Sequence, residues 1–152
     1  MVSAFNELKK KYDNIELVLV EGVKQEEAIE IYGSADIIVD QLNAGTYGVF
    51  AIESMALGKP VISYISDEMK LKLPEELPIL SANKQTISTV LEYLVTHPFE
   101  RNEVGIRGRR YVELYYDYRK VAVILRDIYS GKLQPVTGRK AFERVKNVKI
   151  DF

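Results

Sequence analysis

The sequence predicts an α/β fold, a doubly wound parallel sheet with helices on both faces and a helical C-terminal part. Three observations carry this expectation. Short, almost continuously apolar runs, IELVLV at 15–20, DIIVD at 36–40 and VISYI at 61–65, have the composition of strands buried on both faces. The first two are each followed by a segment with apolar residues at helical spacing. Strands that alternate with helices are joined by right-handed crossovers, which place the strands parallel.

The elements follow in order. Phe5, Leu8 and Tyr12, spaced three and four apart with lysines between them, predict a short amphipathic helix from Ser3 to Tyr12 that Asp13 and Asn14 end. Ile15 to Val20 is the first expected strand, punctuated by Gly22. QEEAIEIYGSAD sets acidic residues in a first helical turn, where they complement the helix dipole, and Ala28, Ile29 and Tyr32 on one face, closing near Gly33. Asp36 to Asp40 is the second strand. Gly48 to Leu57 is a helix stopped by Gly58-Lys59-Pro60, and Val61 to Ile65 is the third strand. A proline-broken stretch with Pro74 and Pro78 surrounds a weak fourth apolar run at 78–80. Asn83 is placed to cap a helix whose inner face is Ile87, Val90, Leu91 and Leu94, ending near His97-Pro98. Two further helices are expected, Glu100 to Tyr116 and Tyr118 to Tyr129, the second with Val121, Leu125 and Ile128 at helical spacing. The segment from Gly131 to Phe152 is weakly periodic, and its structure is left open.

Composition narrows the chemistry. With 152 residues, 47% hydrophobic and 28% charged, the chain suits a single core and reads neither as disordered nor as membrane-spanning. A net charge of −1, from 21 basic and 22 acidic residues, gives no global field toward DNA or an anionic membrane, so no nucleic-acid partner is expected. No cysteine is present, and the single histidine, His97, cannot build a metal cluster alone. The lack of cysteine is compatible with the cytoplasm. The first 20 residues, with Glu7 and Lys9 to Lys11, do not read as a signal peptide.

The stretch DQLNAGTYGVFAIESMALGKPVI, 40–62, holds the candidate site. Ligands of open α/β sheets bind outside the carboxyl ends of the strands, where the Asp40 to Gly48 loop is expected to lie. Gly45 and Gly48 allow a sharp turn and a close backbone approach, and Gly48 opens a helix. The amides of Gly48, Val49 and Phe50 would then face the loop. A helix N-terminus with about half a positive charge and partnerless amides suits a phosphate. Glu53 lies about one and a half turns further on, within reach of a ligand along the helix and able to accept bonds from sugar hydroxyls. The plainer reading stands beside this one: two glycines make a βα turn and Glu53 is a solvated helix residue.

The order YGSADIIVD, a glycine-containing loop, then GVFAIESMALGKPVI resembles the nucleotide-sugar-binding half of the GT-B glycosyltransferases, specifically the retaining enzymes of glycosyltransferase family 4. The resemblance covers about Ile15 to Tyr129, and RNEVGIRGRRYVELYYDYRKVAVILRDIY is similar to the helices that close that domain. It implies a Rossmann-like donor-binding domain at 1–131, without the family's first strand, and a C-terminal tail at 132–152. The implied function is hexosyltransferase-like: a nucleotide-diphosphate sugar gives its sugar to an acceptor hydroxyl with retention, needing no metal or other cofactor. The implied acceptor is a sugar or lipid-linked glycan held by an N-terminal half, with peripheral membrane association of the full-length enzyme admitted. The family carries two glutamates separated by seven residues. Glu53 matches the second, associated with the donor ribose, whereas Gly45 stands where the first, associated with the transferred sugar, is usual. The departure leaves open a donor held through Asp40 or Asn43, or a domain that binds a nucleotide or another subunit without catalysis. The donor-binding expectation comprises Glu53 for the ribose, Gly45, Thr46, Tyr47, Gly48 and Val49 for the phosphates and sugar, and Val23 for the nucleobase shelf; no catalytic residue is assigned. The family's basic pair belongs to a loop preceding the expected start of this chain, and the chain alone is expected not to transfer sugar.

Other features have plainer readings. Arg107, Arg109 and Arg110 are a solvated helix face beside Glu103 and Glu113. The ten tyrosines fall largely on helical spacing with apolar neighbours and are expected to pack, with exposed aromatics of the last helices available to an N-terminal half. Tyr47, in the loop, either lines a pocket or packs the loop. His97 is expected to meet terminal helix carbonyls, and Lys59 to sit in a turn away from the site.

Overall fold

The computed structural model describes residues 2–149. Helix α1, Val2–Lys9, is followed by an irregular segment and by α2, Gln25–Ser34. Strand β1, Ile38–Val39, leads through the glycine loop to α3, Val49–Ala56, and β2, Val61–Ser63. Then come α4, Asp67–Lys72, β3, Leu80–Ser81, and α5, Ile87–Thr96. Three more helices follow: α6, Pro98–Tyr115, α7, Tyr118–Tyr129, and α8, Arg139–Lys146.

The sheet runs β1-β2-β3 with both pairings parallel. Ile38 faces Val61 and Val39 faces Ile62; on the other side Ile62 faces Leu80 and Ser63 faces Ser81. All three residues of β2 are buried, as a central strand requires. Because side chains alternate across a strand, neighbouring residues of β2 enter different cores. Val61 packs with Ile38, with Ala51 and Met55 of α3, and with Tyr111 and Tyr115 of α6. Ile62 packs with Ala4 and Leu8 of α1 and with Ile87, Leu91 and Leu94 of α5. Helices therefore cover both faces.

Local chemistry fixes the helix ends. Ser66 Oγ accepts the Met69 amide at 3.3 Å to cap α4, whose first turn is acidic and last turn basic. Asn83 Oδ1 accepts the amides of Gln85 and Thr86 at 2.9 and 3.1 Å and shapes the turn into α5. Pro98 opens α6, and Asp117 caps α7 through the Arg119 amide at 2.9 Å. Two glycines bring α6 against α3. A Cβ on Gly105 would lie 2.1 Å from the Gly58 carbonyl oxygen, and one on Gly108 would lie 3.1 Å from Met55 Cγ.

Several expectations are corrected. Ile15 to Val20 forms no strand: the sheet places no neighbour beside it, Val18 and Leu19 are 57% and 58% exposed, and the Ile15 carbonyl accepts Lys9 Nζ at 2.5 Å. An apolar run without a flanking strand has no ladder to join. The strands at 36–40 and 61–65 are shorter than expected, the fourth run pairs at Leu80–Ser81, and an unexpected helix, α4, lies between β2 and the proline-broken stretch. In the segment left open, α8 packs on α6 and α7, with Phe142 edge-on to Tyr115 and Tyr116 at 5.7 and 6.1 Å. The last residues of that segment, 150–152, lie outside the described residues.

Candidate functional site

The carboxyl end of β1 opens into loop 41–48, which β2 and the residues after it hold from behind. The Gln41 carbonyl accepts the Tyr64 amide at 2.7 Å and the Ser63 hydroxyl at 3.1 Å, and the Gly45 carbonyl accepts the Ser66 amide at 2.9 Å. Gly45 is buried and has φ +82°, a conformation that disfavours any side chain, and an added Cβ would meet Ser66 Cβ and Oγ at 3.4 Å. The local fold therefore gives glycine a steric reason to occupy this position.

Asp40 alters the expected anion site. Its Oδ2 accepts the Gly48 amide at 3.2 Å, so a carboxylate of the chain itself already satisfies one donor at the start of α3. The amides of Val49 and Phe50 find no acceptor among the described residues. Val49 is 69% exposed, and Asn43 is also exposed. Two amides and the helix dipole remain for a ligand, beside one fixed negative charge.

Tyr47 packs the loop. Its buried hydroxyl lies 3.1 Å from the Tyr111 hydroxyl and 2.7 Å from that of Tyr116. Burial pushes all three phenols well above their ordinary value, so the trio stays neutral and serves as a hydrogen-bonded pin between loop and α6.

A cavity of about 470 Å³ brings together Thr46, Tyr47, Gly48 and Val49 from the loop and α3. Ile52 adds to that wall; Met69, Lys72 and Leu73 come from α4 and its end, Tyr116 follows α6, and Gly138 and Phe142 come from the C-terminal segment. Gly45, Glu53 and Val23 do not line it. Glu53 lies on the flank of α3 that meets α2, where its Oε1 accepts Gln25 Nε2 at 2.8 Å. That bond sets the ribose candidate beside the Gly22–Gln25 turn, in which Gly22 has φ +68° and Val23 is partly exposed. The site thus has two parts, a cavity at the start of α3 and a polar contact on its side.

Of the residues the sequence reading missed, Gln25 carried a weak signal as the opener of a helix near the expected base shelf. Tyr116, Phe142 and Gly138 carried none, since their roles depend on how α6 and α8 dock. A second hollow of about 670 Å³ is rimmed by Glu75, Glu76, Glu100 and Glu103 with Arg107. The Tyr115 phenol, Lys146 and a backbone amide hold the Glu76 carboxyl down at about 2, so it stays charged at neutral pH. The rim carries more carboxylates than cations, although Glu75 and Glu76 are paired with Arg139 and Lys146.

The arginine run and His97 keep their plainer readings. Arg109 pairs with Glu113 at 2.6 Å and donates to the Ala56 carbonyl at the end of α3, while Arg107 and Arg110 are exposed. His97 Nδ1 lies 2.9 Å from the Tyr93 carbonyl oxygen. Among the described residues there is no group of three or more His, Asp or Glu side chains arranged to hold a metal ion, and no helix is long and apolar enough to cross a membrane.

No protein-family model and no curated protein matches the sequence. Among solved structures the fold is similar to that of the sucrose-phosphate synthase from Thermosynechococcus elongatus, with a TM-score of 0.60 and 20% sequence identity. The likeness covers 85% of this chain and 33% of that chain, so the present chain spans about a third of its structural neighbour. At this identity the likeness shows a shared fold.

Proposed function

We propose that this chain is the donor-binding half of a retaining glycosyltransferase that moves a sugar from a nucleotide-diphosphate sugar to an acceptor hydroxyl. The observation that carries the reading is the 2.8 Å bond from Gln25 to Glu53, which sets a half-buried carboxylate on the flank of α3 next to a glycine turn. This juxtaposition would suit a nucleoside, with ribose hydroxyls donating to Glu53 and the base resting on the Val23 turn. The diphosphate would extend toward the amides of Val49 and Phe50, and Thr46 to Gly48 would border the sugar. The fold likeness to a sucrose-phosphate synthase and the family resemblance of 32–62 support this assignment. Preorganised amides stabilise a departing diphosphate electrostatically without moving in the reaction.

The acceptor site and the remaining phosphate contacts fall to other parts of a longer protein in this reading, and the isolated chain binds without transferring. A second reading, a glycosyltransferase-like domain that binds a nucleotide or a subunit without catalysis, is favoured by two features of the loop. Asp40 occupies the Gly48 amide, and the buried Gly45 presents no carboxylate to a sugar.

Calorimetric titration with UDP, GDP and ADP and their sugars, with and without magnesium, tests the proposal. One base is expected to bind selectively, and Glu53→Ala to weaken it at least tenfold, which is about 1.4 kcal/mol. Equal affinity in the variant would overturn the ribose assignment. Sugar transfer by the isolated chain would overturn the division of labour.

A further inference from the structure

We propose that α8 is a strap that forms one wall of the cavity and positions the site loop through Phe142 and Tyr116, with Arg139 as its anchor. Only the identity of the ligand rests on the reading above; the coupling between strap and loop stands on contacts of this chain.

No residue of α8 is fully buried, so a few discrete contacts hold it. The Arg139 guanidinium donates to the carbonyls of Lys70 and Leu73 at 3.2 and 3.0 Å and pairs with Glu75 at 2.6 Å. A cation is thereby seated on the C-terminal carbonyls of α4, where the helix dipole favours it. At the other end of α8, Lys146 pairs with Glu76 at 2.9 Å. Between these anchors the Phe142 ring meets Tyr115 and Tyr116 edge-on.

The connection into α8 starts at Gly131, φ +76°, and ends at Gly138, φ +59°, two backbone positions that other residues rarely adopt. An eight-residue helix is not stable by itself in water, so α8 keeps its structure only while docked. Docked, it supplies Gly138 and Phe142 to the cavity opposite Thr46 to Val49. Phe142 touches Tyr116, whose hydroxyl bonds that of Tyr47 in the loop at 2.7 Å. A continuous set of packed and hydrogen-bonded groups therefore joins the anchor to the loop. Undocking removes a wall and frees the ring that steadies Tyr47. By reciprocity, a ligand that fills the cavity against Phe142 tightens the strap.

Hydrogen exchange in the ligand-free protein tests this, read in peptides covering 139–146, 41–50 and 25–34. Arg139→Ala removes the anchor, including its bond to the Leu73 carbonyl, while Arg139 itself does not line the cavity. Exchange is expected to rise at least tenfold in 139–146 and several-fold in 41–50, with 25–34 unchanged. Phe142→Ala, which leaves both anchors, is expected to raise exchange in 41–50. If 139–146 loosens while 41–50 stays as protected as before, the coupling is refuted; if 139–146 does not respond to Arg139→Ala, the anchor is refuted. A uniform rise that includes 25–34 would mean global destabilisation and would also refute the strap. Because no nucleotide is present, this result is separable from the failure of the donor-site reading.

Discussion

Tyr47 bonds two phenols through one hydroxyl, and all three tyrosines lie in or against one core cluster. A buried donor or acceptor left unmade costs more than a hydrogen bond contributes when made. Tyr47→Phe keeps the ring but leaves the Tyr111 and Tyr116 hydroxyls short of a partner. We expect a loss of about 1–3 kcal/mol in chemical denaturation, and an unchanged midpoint would show that water replaces the bond. The sequence placed Tyr47 in the site loop but left it divided between lining a pocket and packing the loop. It does both, because the ring borders the cavity while the hydroxyl turns to α6. That division was invisible in spacing, since Tyr111 and Tyr116 lie more than sixty residues away. Asp40 was legible only as a strand-end carboxylate; its capture of the Gly48 amide depends on how the loop turns back across β1.

Helix α6 packs on α3 and on the turn that follows it, and two glycines of α6 permit the approach. Gly105 faces a backbone carbonyl with no room for a methyl group, whereas Gly33 in α2 has nothing within 4 Å of a built Cβ. Gly105→Ala is therefore expected to cost about 3 kcal/mol or more through a clash that no rotamer relieves. Gly33→Ala is expected to stabilise by about 0.5–1 kcal/mol by restricting the unfolded chain. Thermal melts of both variants check the pair, and similar behaviour would contradict the close approach of the helices. The sequence showed most helices well because amphipathic spacing is a local signal, and α7 spans the residues expected of it, Tyr118 to Tyr129. It overstated the strand at Ile15 to Val20 because apolar composition marks burial and not the presence of a partner strand. Helix α8 was not legible, since its docking rests on Arg139 and Phe142 meeting groups more than twenty residues away.

At the scale of the whole molecule, a short parallel sheet with helices against both faces presents a glycine loop and a helix start at the end of β1, with Glu53 on the helix flank toward α2. The sequence pattern reached this arrangement through the alternation of strands and helices and the position of Gly45 and Gly48. Tertiary packing had to supply which side of α3 faces the cavity and which faces the Val23 turn. In the proposed reading a nucleotide lies along α3 with its base at that turn. Amide chemical-shift mapping during titration with the nucleotide sugar that binds best tests it most directly. Shifts are expected in 22–25, 46–50 and at Glu53, with 75–80 and Tyr93 unmoved. Shifts confined to the carboxylate-rimmed hollow at 75–80 and Tyr93, or none at saturating nucleotide in a folded sample, would contradict it.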